Sequence, residues 1–268
     1  MNTVTKTPNT SLRRGAIVQT RVIFALVMRE IITRYGRSNI GFLWLFCEPM
    51  LFTIGVTLLW SFTKHLQKGP ISIVAFAITG YSTVLLWRNT SGRCVHAIEP
   101  NLSLLYHRNV KVLDVLLARI FLEIAGATAS FTLLTLVSWL LGLTHLPADI
   151  SKVLLGWVMT AWFGMSLALV LGALSERTDL VERTWHTISY LLFPLSGVLF
   201  IVDWLPKAAQ KYILLLPMVN GVEMIREGYF GGVQRFHYDL QYMLFACASL
   251  TLIGLLLTRI AERHLEIT

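Results

Sequence analysis

Long apolar runs alternate with short polar segments along most of the chain. A helix needs about 20 apolar residues to cross the hydrocarbon core of a bilayer. Because six runs approach or exceed this length, the pattern predicts an all-α membrane protein with six transmembrane helices. The predicted spans are 41–63, 71–87, 124–144 (in a helix that starts near Asp114), 153–175, 184–202 and 240–258.

A seventh apolar run, 212–222, is too short to cross the bilayer. Pro217 lies in its centre, where it interrupts helical hydrogen bonding. We therefore expect a re-entrant helical hairpin over 204–230, between the fifth and sixth spans. Non-helical backbone at membrane depth must be surrounded by protein or water, so this hairpin should border a cavity or another subunit.

Two segments precede the transmembrane domain (38–268): a polar tail (1–15) and an amphipathic stretch (16–37). The amphipathic stretch predicts a helix that lies in the membrane interface, although Val22 and Leu26 interrupt its polar side. The alternative is a water-exposed helix that only orients the first span. The two faces consist of Ile17, Phe24, Met28, Ile31 and Tyr35 on the apolar side and of Arg29, Glu30, Thr33, Arg34 and Arg37 on the polar side.

The composition supports a membrane protein, since 55% of the residues are hydrophobic and 14% are charged, against about 25% charged in soluble domains. The net charge of +8 would suggest nucleic acid as a partner of a soluble protein. In a membrane protein, basic residues instead mark the cytoplasmic side. With six spans and both termini inside, 16 of the 23 Lys and Arg residues fall in cytoplasmic segments. This distribution predicts cytoplasmic termini and no nucleic-acid partner.

The sequence lacks the motifs of an enzyme. It contains no G-x-x-x-x-G-K-[ST] loop, so we expect ATP hydrolysis to occur in a separate subunit. Its three cysteines are scattered, and no His/Cys/Asp group has metal-ligand spacing. The first 20 residues hold no apolar h-region, so we expect no cleaved signal peptide.

Three stretches of the sequence resemble the ABC exporter permeases for capsular polysaccharide and the related O-antigens. RYGRSNIGFLWLFCEP (34–49) is similar to the family's entry motif, and AIEPNLSLLYHRNVKVLDVLLARIFLE (97–123) is similar to its cytoplasmic loop. LPMVNGVEMIREGYFGG (216–232) is similar to its periplasmic hairpin, with Leu216 where many members have Asn. The three motifs occur in the family's order.

The resemblance implies a homodimeric permease in the bacterial inner membrane, paired with two nucleotide-binding subunits that carry ATP and Mg. It also implies a lipid-linked polysaccharide substrate, a periplasmic adaptor and an outer-membrane export channel. The loop 88–113 would be the coupling loop that docks on the ATPase, because it combines charged with apolar residues; the alternative is an ordinary basic cytoplasmic loop. Its predicted docking residues are Glu99, Asn101, Leu104, Leu105, Tyr106, Arg108 and Lys111.

Arg29, Arg34 and Arg37 are further docking candidates, with phospholipid headgroups as alternative partners.

Glu48 and Pro49 interrupt the first span, and we expect this pair to bend it and to wet the entrance of a channel. The alternative for Glu48 is a structural hydrogen bond. Sugars stack on aromatic rings, so aromatic residues are candidates for the channel wall, although many also collect at membrane interfaces. The predicted substrate path comprises Trp44, Glu48, Pro49, Phe76, Tyr81 and Tyr190.

The hairpin supplies candidates for a periplasmic gate. Within it, Glu223 and Arg226 are spaced i,i+3 and could instead only pair with each other. The predicted gate residues are Trp204, Pro217, Asn220, Glu223 and Arg226.

Other functions fit the sequence less well. A proton-coupled carrier needs acidic or histidine residues near the middle of several spans, and only Glu48 comes near this position. A membrane transferase needs paired carboxylates or a histidine-centred site. Within the exporter class, the open question is the cargo, which could be O-antigen, teichoic acid or a small lipophile instead of capsular polysaccharide.

Overall fold

The computed structural model describes residues 12–36, 43, 47, 50–59, 71–105 and 110–265. These residues form helices and connecting segments without a strand, which confirms the all-α prediction. Short 3-10 helices cover Glu99–Asn101, Val202–Trp204 and Gly231–Val233. The α-helices are α1 (Leu12–Tyr35), α2 (Met50–Leu59), α3 (Ile73–Gly92), α4 (Leu102–Leu105), α5 (Val112–Leu140), α6 (Ile150–Ser175), α7 (Leu180–Leu195), α8 (Lys207–Ile213), α9 (Pro217–Phe230) and α10 (Leu240–Leu265).

Helices α5, α6 and α10 are long and apolar enough to cross a membrane, and they coincide with the third, fourth and sixth predicted spans. The fifth predicted span is helical only to Leu195, because Pro194 lies in its last turn and Gly197 follows with a φ of +82°. Helix α7 has 16 residues and is therefore about 24 Å long. Of the first span, only α2 and positions 43 and 47 are described, so the six-span arrangement stays a prediction.

Helix α3 occupies the centre of the molecule. It contacts α5, α6, α7 and α9, and nearly all of its side chains are buried, including those of Phe76 and Trp87. Helix α6 packs against α3 and also against α9 and α10, while α10 keeps most of its surface exposed. The exposed surface of α10 is apolar, as expected for a helix that faces lipid.

Glycines allow the backbones of these helices to approach closely, as small residues do in membrane proteins. A Cβ atom at Gly164 of α6 would lie 3.0 Å from the Cα of Trp87 in α3. A Cβ atom at Gly228 of α9 would lie 2.6 Å from the backbone N of Val153 in α6. Helix α6 therefore holds α3 and α9 at distances that larger residues would not permit.

The predicted hairpin consists of two helices, α8 and α9, separated by the turn 214–216. Pro217 is the first residue of α9, a position at which proline costs no helical hydrogen bond. Helix α9 is buried between α3 and α6, whereas α8 has no fully buried residue. The stretch thus contains the break between two helices that Pro217 indicated, while its re-entrant position in the membrane stays a prediction.

The connecting segments gather at two ends of the molecule. The α1 end contains the segment 93–105 and the α6–α7 turn, where the backbone N–H of His96 donates to Ser175 Oγ (3.2 Å). The α9 end contains the loop 141–149 and the segments around α8 and α9. There the N–H of Asp149 donates to the carbonyl of Gly228 (2.8 Å).

The close contact at Gly228 gives a prediction for stability. We expect Gly228→Ala to lower the free energy of unfolding by about 1–3 kcal/mol, because the new methyl group would meet backbone atoms that cannot move aside. Gly232→Ala is the matched control, since a Cβ there meets nothing within 4 Å. Thermal unfolding in detergent measures both, and equal midpoints for the two variants would contradict the packing described here.

Candidate functional site

The predicted docking residues occupy the α1 end. Asn101 is buried; its side chain donates to the carbonyl of Ala97 (2.8 Å) and accepts from Arg29 Nη1 (2.5 Å). Leu104 and Leu105 are half-buried and pack against the cluster around Leu26 of α1. These contacts hold the segment against the body of the protein.

The outward surface of the segment 93–105, which we call the docking segment, carries other residues. The side chain of Glu99 is 70% exposed, and Leu102 also faces outward. Lys111 precedes α5, and its backbone N–H donates to Asp114 Oδ2 (3.0 Å). Tyr106, Arg108 and Arg37 lie outside the described residues.

Helix α1 places its polar side against α5. Glu30 lies 3.1 Å from Arg119 Nε, Arg34 pairs with Glu123, and the side chain of Gln19 donates to Asp114. Glu123 thus takes a partner from α1 rather than Arg119, its i,i+4 neighbour on α5. Arg29 and Arg34 both have partners within the chain.

The apolar side of α1 faces away from the protein. Phe24 is 65% exposed, and Ile17 and Met28 are exposed on the same side, which suits contact with lipid. Val22 and Leu26, which interrupt the polar side in the sequence, pack on Val115 and Ala118 of α5. These two apolar residues therefore interrupt the amphipathic pattern because they form the contact with α5.

His96 connects the docking segment to α7. Its Nε2 lies 2.8 Å from Glu182 Oε2, and its Nδ1 lies 3.4 Å from Glu99 Oε2. The backbone of His96 has a φ of +53°, which is uncommon outside glycine. Partial burial and the nearby Glu99 carboxylate raise the pKa of Glu176, just after α6. Carboxylates of the docking segment and of α7 thus contact one imidazole.

The predicted substrate path is only partly brought together. Tyr81 is buried, and its ring lies 5.7 Å from that of Phe52 in α2 and 5.5 Å from that of Phe193 in α7. Tyr190 of α7 is 56% exposed. Phe76 is buried at the α9 end, where its ring stacks on Trp204 (5.7 Å). Trp44, Glu48 and Pro49 lie outside the described residues.

Asn220, one of the predicted gate residues, is fully buried in α9 and bonds to the segments on either side of this helix. Its Nδ2 donates to the carbonyls of Leu214 (2.8 Å) and Leu216 (3.2 Å), in the turn that precedes α9. Its Oδ1 accepts from the N–H of Asp239 (2.8 Å), just before α10. One side chain therefore joins the α8–α9 turn to the start of α10.

Glu223, one turn later in α9, is also fully buried. Its two carboxylate oxygens accept from the N–H groups of Val202 (3.1 Å) and His237 (3.0 Å). Both carboxylate oxygens therefore bond to connecting segments. Glu223 and Arg226 are both among the described residues, and their charged groups do not lie within salt-bridge distance of each other. The i,i+3 ion pair that the spacing allowed is not formed.

Arg226 completes the row. Its two Nη atoms donate to the carbonyls of Gly197 (2.6 Å), Phe200 (2.6 Å) and Val198 (2.9 Å), all in the segment that follows α7. The guanidinium carbon lies 3.9 Å from the centre of the Phe76 ring. The side chains at 220, 223 and 226 thus bind backbone from three connecting segments, and we call them the α9 row.

Arg88, Tyr190 and His186 meet between α3 and α7, a grouping that was not predicted from the sequence. The Arg88 guanidinium lies 4.4 Å from the centre of the Tyr190 ring, and the Tyr190 ring lies 5.1 Å from that of His186. Arg88 is the first residue of the predicted docking loop 88–113. The one signal in the sequence was an arginine placed directly after the last apolar residue of a span.

Comparison with known proteins finds one transporter family model and several similar transport proteins. The family model described as ABC-2 type transporter matches residues 21–230. The capsule polysaccharide export inner-membrane protein CtrC of Neisseria meningitidis is 46% identical over 246 residues, which are 92% of this chain and 93% of that protein. The capsule polysaccharide export inner-membrane protein BexB of Haemophilus influenzae is 41% identical over 257 residues, 96% of this chain and 97% of that protein. The polysialic acid transport protein KpsM of Escherichia coli is 28% identical over 250 residues, 93% of this chain and 97% of that protein.

The α9 row gives a prediction for stability at the hairpin. Arg226→Gln should lower the free energy of unfolding by roughly 3 kcal/mol or more, because two buried carbonyls and one partly buried carbonyl lose a charged donor. Arg226→Lys should also destabilise the protein, since an ammonium group lacks the planar fork. Arg235→Gln, at an exposed arginine, is the control. Unfolding in detergent and amide hydrogen exchange at residues 198–202 test this prediction. An exchange rate in Arg226→Gln equal to that of the wild-type protein would contradict it.

The packing of α1 on α5 gives a second prediction. A double-mutant cycle with Arg34→Gln and Glu123→Gln should show a coupling energy of about 1–3 kcal/mol, because the two groups form an ion pair away from water. Arg34→Gln combined with Glu227→Gln, at the opposite end, should be additive. Additive behaviour of Arg34 and Glu123 would mean that this ion pair does not hold α1 in place.

Proposed function

The chain belongs to the ABC-2 type transporter family, and we propose that it is the permease subunit of an ATP-driven exporter that moves capsular polysaccharide across the bacterial inner membrane. The observation that carries this proposal is its identity of 46% and 41% to two capsule export proteins over more than nine-tenths of each chain. The cargo named for these relatives is a polysaccharide of the capsule. We take a lipid-linked form of it as the substrate.

The proposed topology has six spans with both termini in the cytoplasm. Among the described residues, three helices have the length and apolar character of spans. The excess of Lys and Arg in the predicted cytoplasmic segments supports placing the α1 end on that side. In this orientation the α9 end lies on the periplasmic side. The buried α9 row would there hold together the segments of an outer gate, with Trp204 on its exposed side.

The proposed partner at the α1 end is a pair of nucleotide-binding subunits, which would carry ATP and Mg. The exposed side of the docking segment, with Glu99 and Leu102, is the surface available to them. This segment is bonded to α1 through Arg29 and Asn101 and to α7 through His96 and Glu182. A movement of the docked ATPase would therefore shift both α1 and α7.

The complete exporter would contain a second copy of this chain, with the polysaccharide passing between the two copies. A periplasmic adaptor and an outer-membrane channel would continue the path. The alternative cargo of an exporter of this kind is O-antigen or teichoic acid. A proton-coupled carrier is disfavoured because the buried carboxylates of the α1 end are engaged with basic or amide side chains.

Co-purification tests the proposed function. We expect the chain, isolated from its own cells in mild detergent, to retain a stoichiometric protein with a Walker A motif. Leu102→Arg should reduce this retention about tenfold, because a charge enters the apolar part of the docking surface. Leu146→Arg, at an exposed leucine of the α9 end, is the matched control. A chain that purifies without an ATPase would contradict the proposal.

A further inference from the structure

Among the described residues, His96 is the one residue other than glycine whose backbone adopts a left-handed conformation, with a φ of +53°. Residues with a Cβ atom rarely adopt this conformation, and where they do the surrounding contacts hold them in it. The backbone N–H of His96 donates to Ser175 Oγ (3.2 Å), a buried hydroxyl in the last turn of α6. A strained residue is thus fixed at the junction of the docking segment and α6.

The imidazole of His96 meets a carboxylate at each of its two nitrogens. Nε2 lies 2.8 Å from Glu182 Oε2 on α7, and Nδ1 lies 3.4 Å from Glu99 Oε2 in the docking segment. A neutral imidazole donates from one nitrogen only, so it bonds to one carboxylate and turns a lone pair toward the other. An imidazolium donates from both nitrogens. Both contacts are therefore hydrogen bonds only when His96 carries a second proton.

The contact lies within reach of water and among other charges. The side chains of His96 and Glu182 are 32% and 58% exposed, and Glu182 lies in the wall of a cavity of about 920 Å³ between the last turns of α3 and the first turns of α7. Protons from the aqueous phase therefore reach the imidazole. The other charged residues nearby are Arg88, Arg93 and Arg183 in the wall of this cavity, Glu176 after α6 and His264 in α10.

The two carboxylates belong to parts of the protein with different proposed roles. Glu99 is 70% exposed on the surface proposed for the ATPase, whereas Glu182 lies in the first turn of α7. All of α7 is described, and only Trp185 and Ser189 in it are buried. Because so little of this helix is packed, its polar attachment to His96 contributes to its position. A movement of Glu99 reaches α7 by this route only while both imidazole contacts are formed.

We propose that protonation of His96 controls whether the docking segment is coupled to α7. The imidazolium bridges Glu99 and Glu182, while the neutral imidazole keeps one carboxylate and releases the other. The bridge is present below the range in which histidine ordinarily titrates, about pH 6.5, and it is lost as the pH rises through that range. The consequence for transport rests on the proposed function, because it takes the exposed side of the docking segment as the ATPase surface.

Amide hydrogen exchange of the full-length chain alone, in detergent, tests the bridge. We expect the protection of residues 94–102, corrected for the intrinsic effect of pH, to be about threefold lower at about pH 8 than at about pH 6, the size of effect of a partly exposed ion pair. It should not depend on pH in His96→Asn. Asparagine tolerates the left-handed conformation, so this variant removes the imidazole without straining the backbone. The matched control is His145→Asn, at an exposed histidine of the α9 end, which should behave as the wild-type protein.

A pH dependence that persists in His96→Asn would overturn the inference. So would a dependence that disappears in Glu176→Gln or in His264→Asn but not in His96→Asn, because a neighbouring group would then be the one that titrates. Glu182→Gln removes the charge of the partner at an exposed position, and it should also abolish the dependence. This variant decides the matter where His96→Asn fails to fold.

Inverted vesicles that contain the chain and its ATPase subunit test the consequence for transport. In the proposed topology the cytoplasmic side faces the buffer there, so the buffer sets the protonation of His96. We expect the polysaccharide transported per ATP hydrolysed to fall about threefold from about pH 6 to about pH 8, and to stay constant in His96→Asn. A constant ratio in the wild-type protein would overturn the proposed coupling. Absence of ATP-driven transport at every pH would instead refute the proposed function, and hydrogen exchange of the chain alone would still decide whether the bridge exists.

Discussion

Non-helical backbone inside a membrane protein needs hydrogen-bond partners from the protein itself, and the α9 row supplies them. Asn220, Glu223 and Arg226 follow one another at intervals of three residues, so they share one face of a helix. They bond to the segment after α7, the α8–α9 turn and the start of α10. Because α9 is itself wedged against α3 and α6, these bonds tie the irregular outer segments to the centre of the fold.

At the α1 end, charged side chains hold the elements together, instead of a single helix. Helix α1 is attached to α5 by ion pairs and by Leu26, and the docking segment is attached to both α1 and α7. His96 belongs to this network, and its partner Glu182 lies in the wall of the cavity between α3 and α7. The wall of this cavity and the proposed ATPase surface are therefore connected by His96 and Glu182.

The long helices could be predicted from the sequence because the number of consecutive apolar residues decides them. Helices α5, α6 and α10 fall within a few residues of the predicted spans, and Pro217 located the break in the hairpin. The end of α7 could not be predicted from hydropathy, because the residues after Leu195 remain apolar and the left-handed conformation of Gly197 ends the helix. The inward orientation of Leu104 and Leu105 depends on α1, which packs on them from a distant part of the sequence. For the same reason the cavity was not predicted, since Arg88 and Arg183 meet only after α3 and α7 pack together.

The most direct measurement is transport in inverted membrane vesicles that contain the chain and its ATPase subunit. We expect that a polysaccharide supplied outside these vesicles becomes protected from added glycosidase when ATP is present. Protection should persist when the proton gradient is collapsed, and it should cease when ATP is replaced by a non-hydrolysable analogue. Transport that requires the proton gradient and does not depend on ATP would contradict the proposed function.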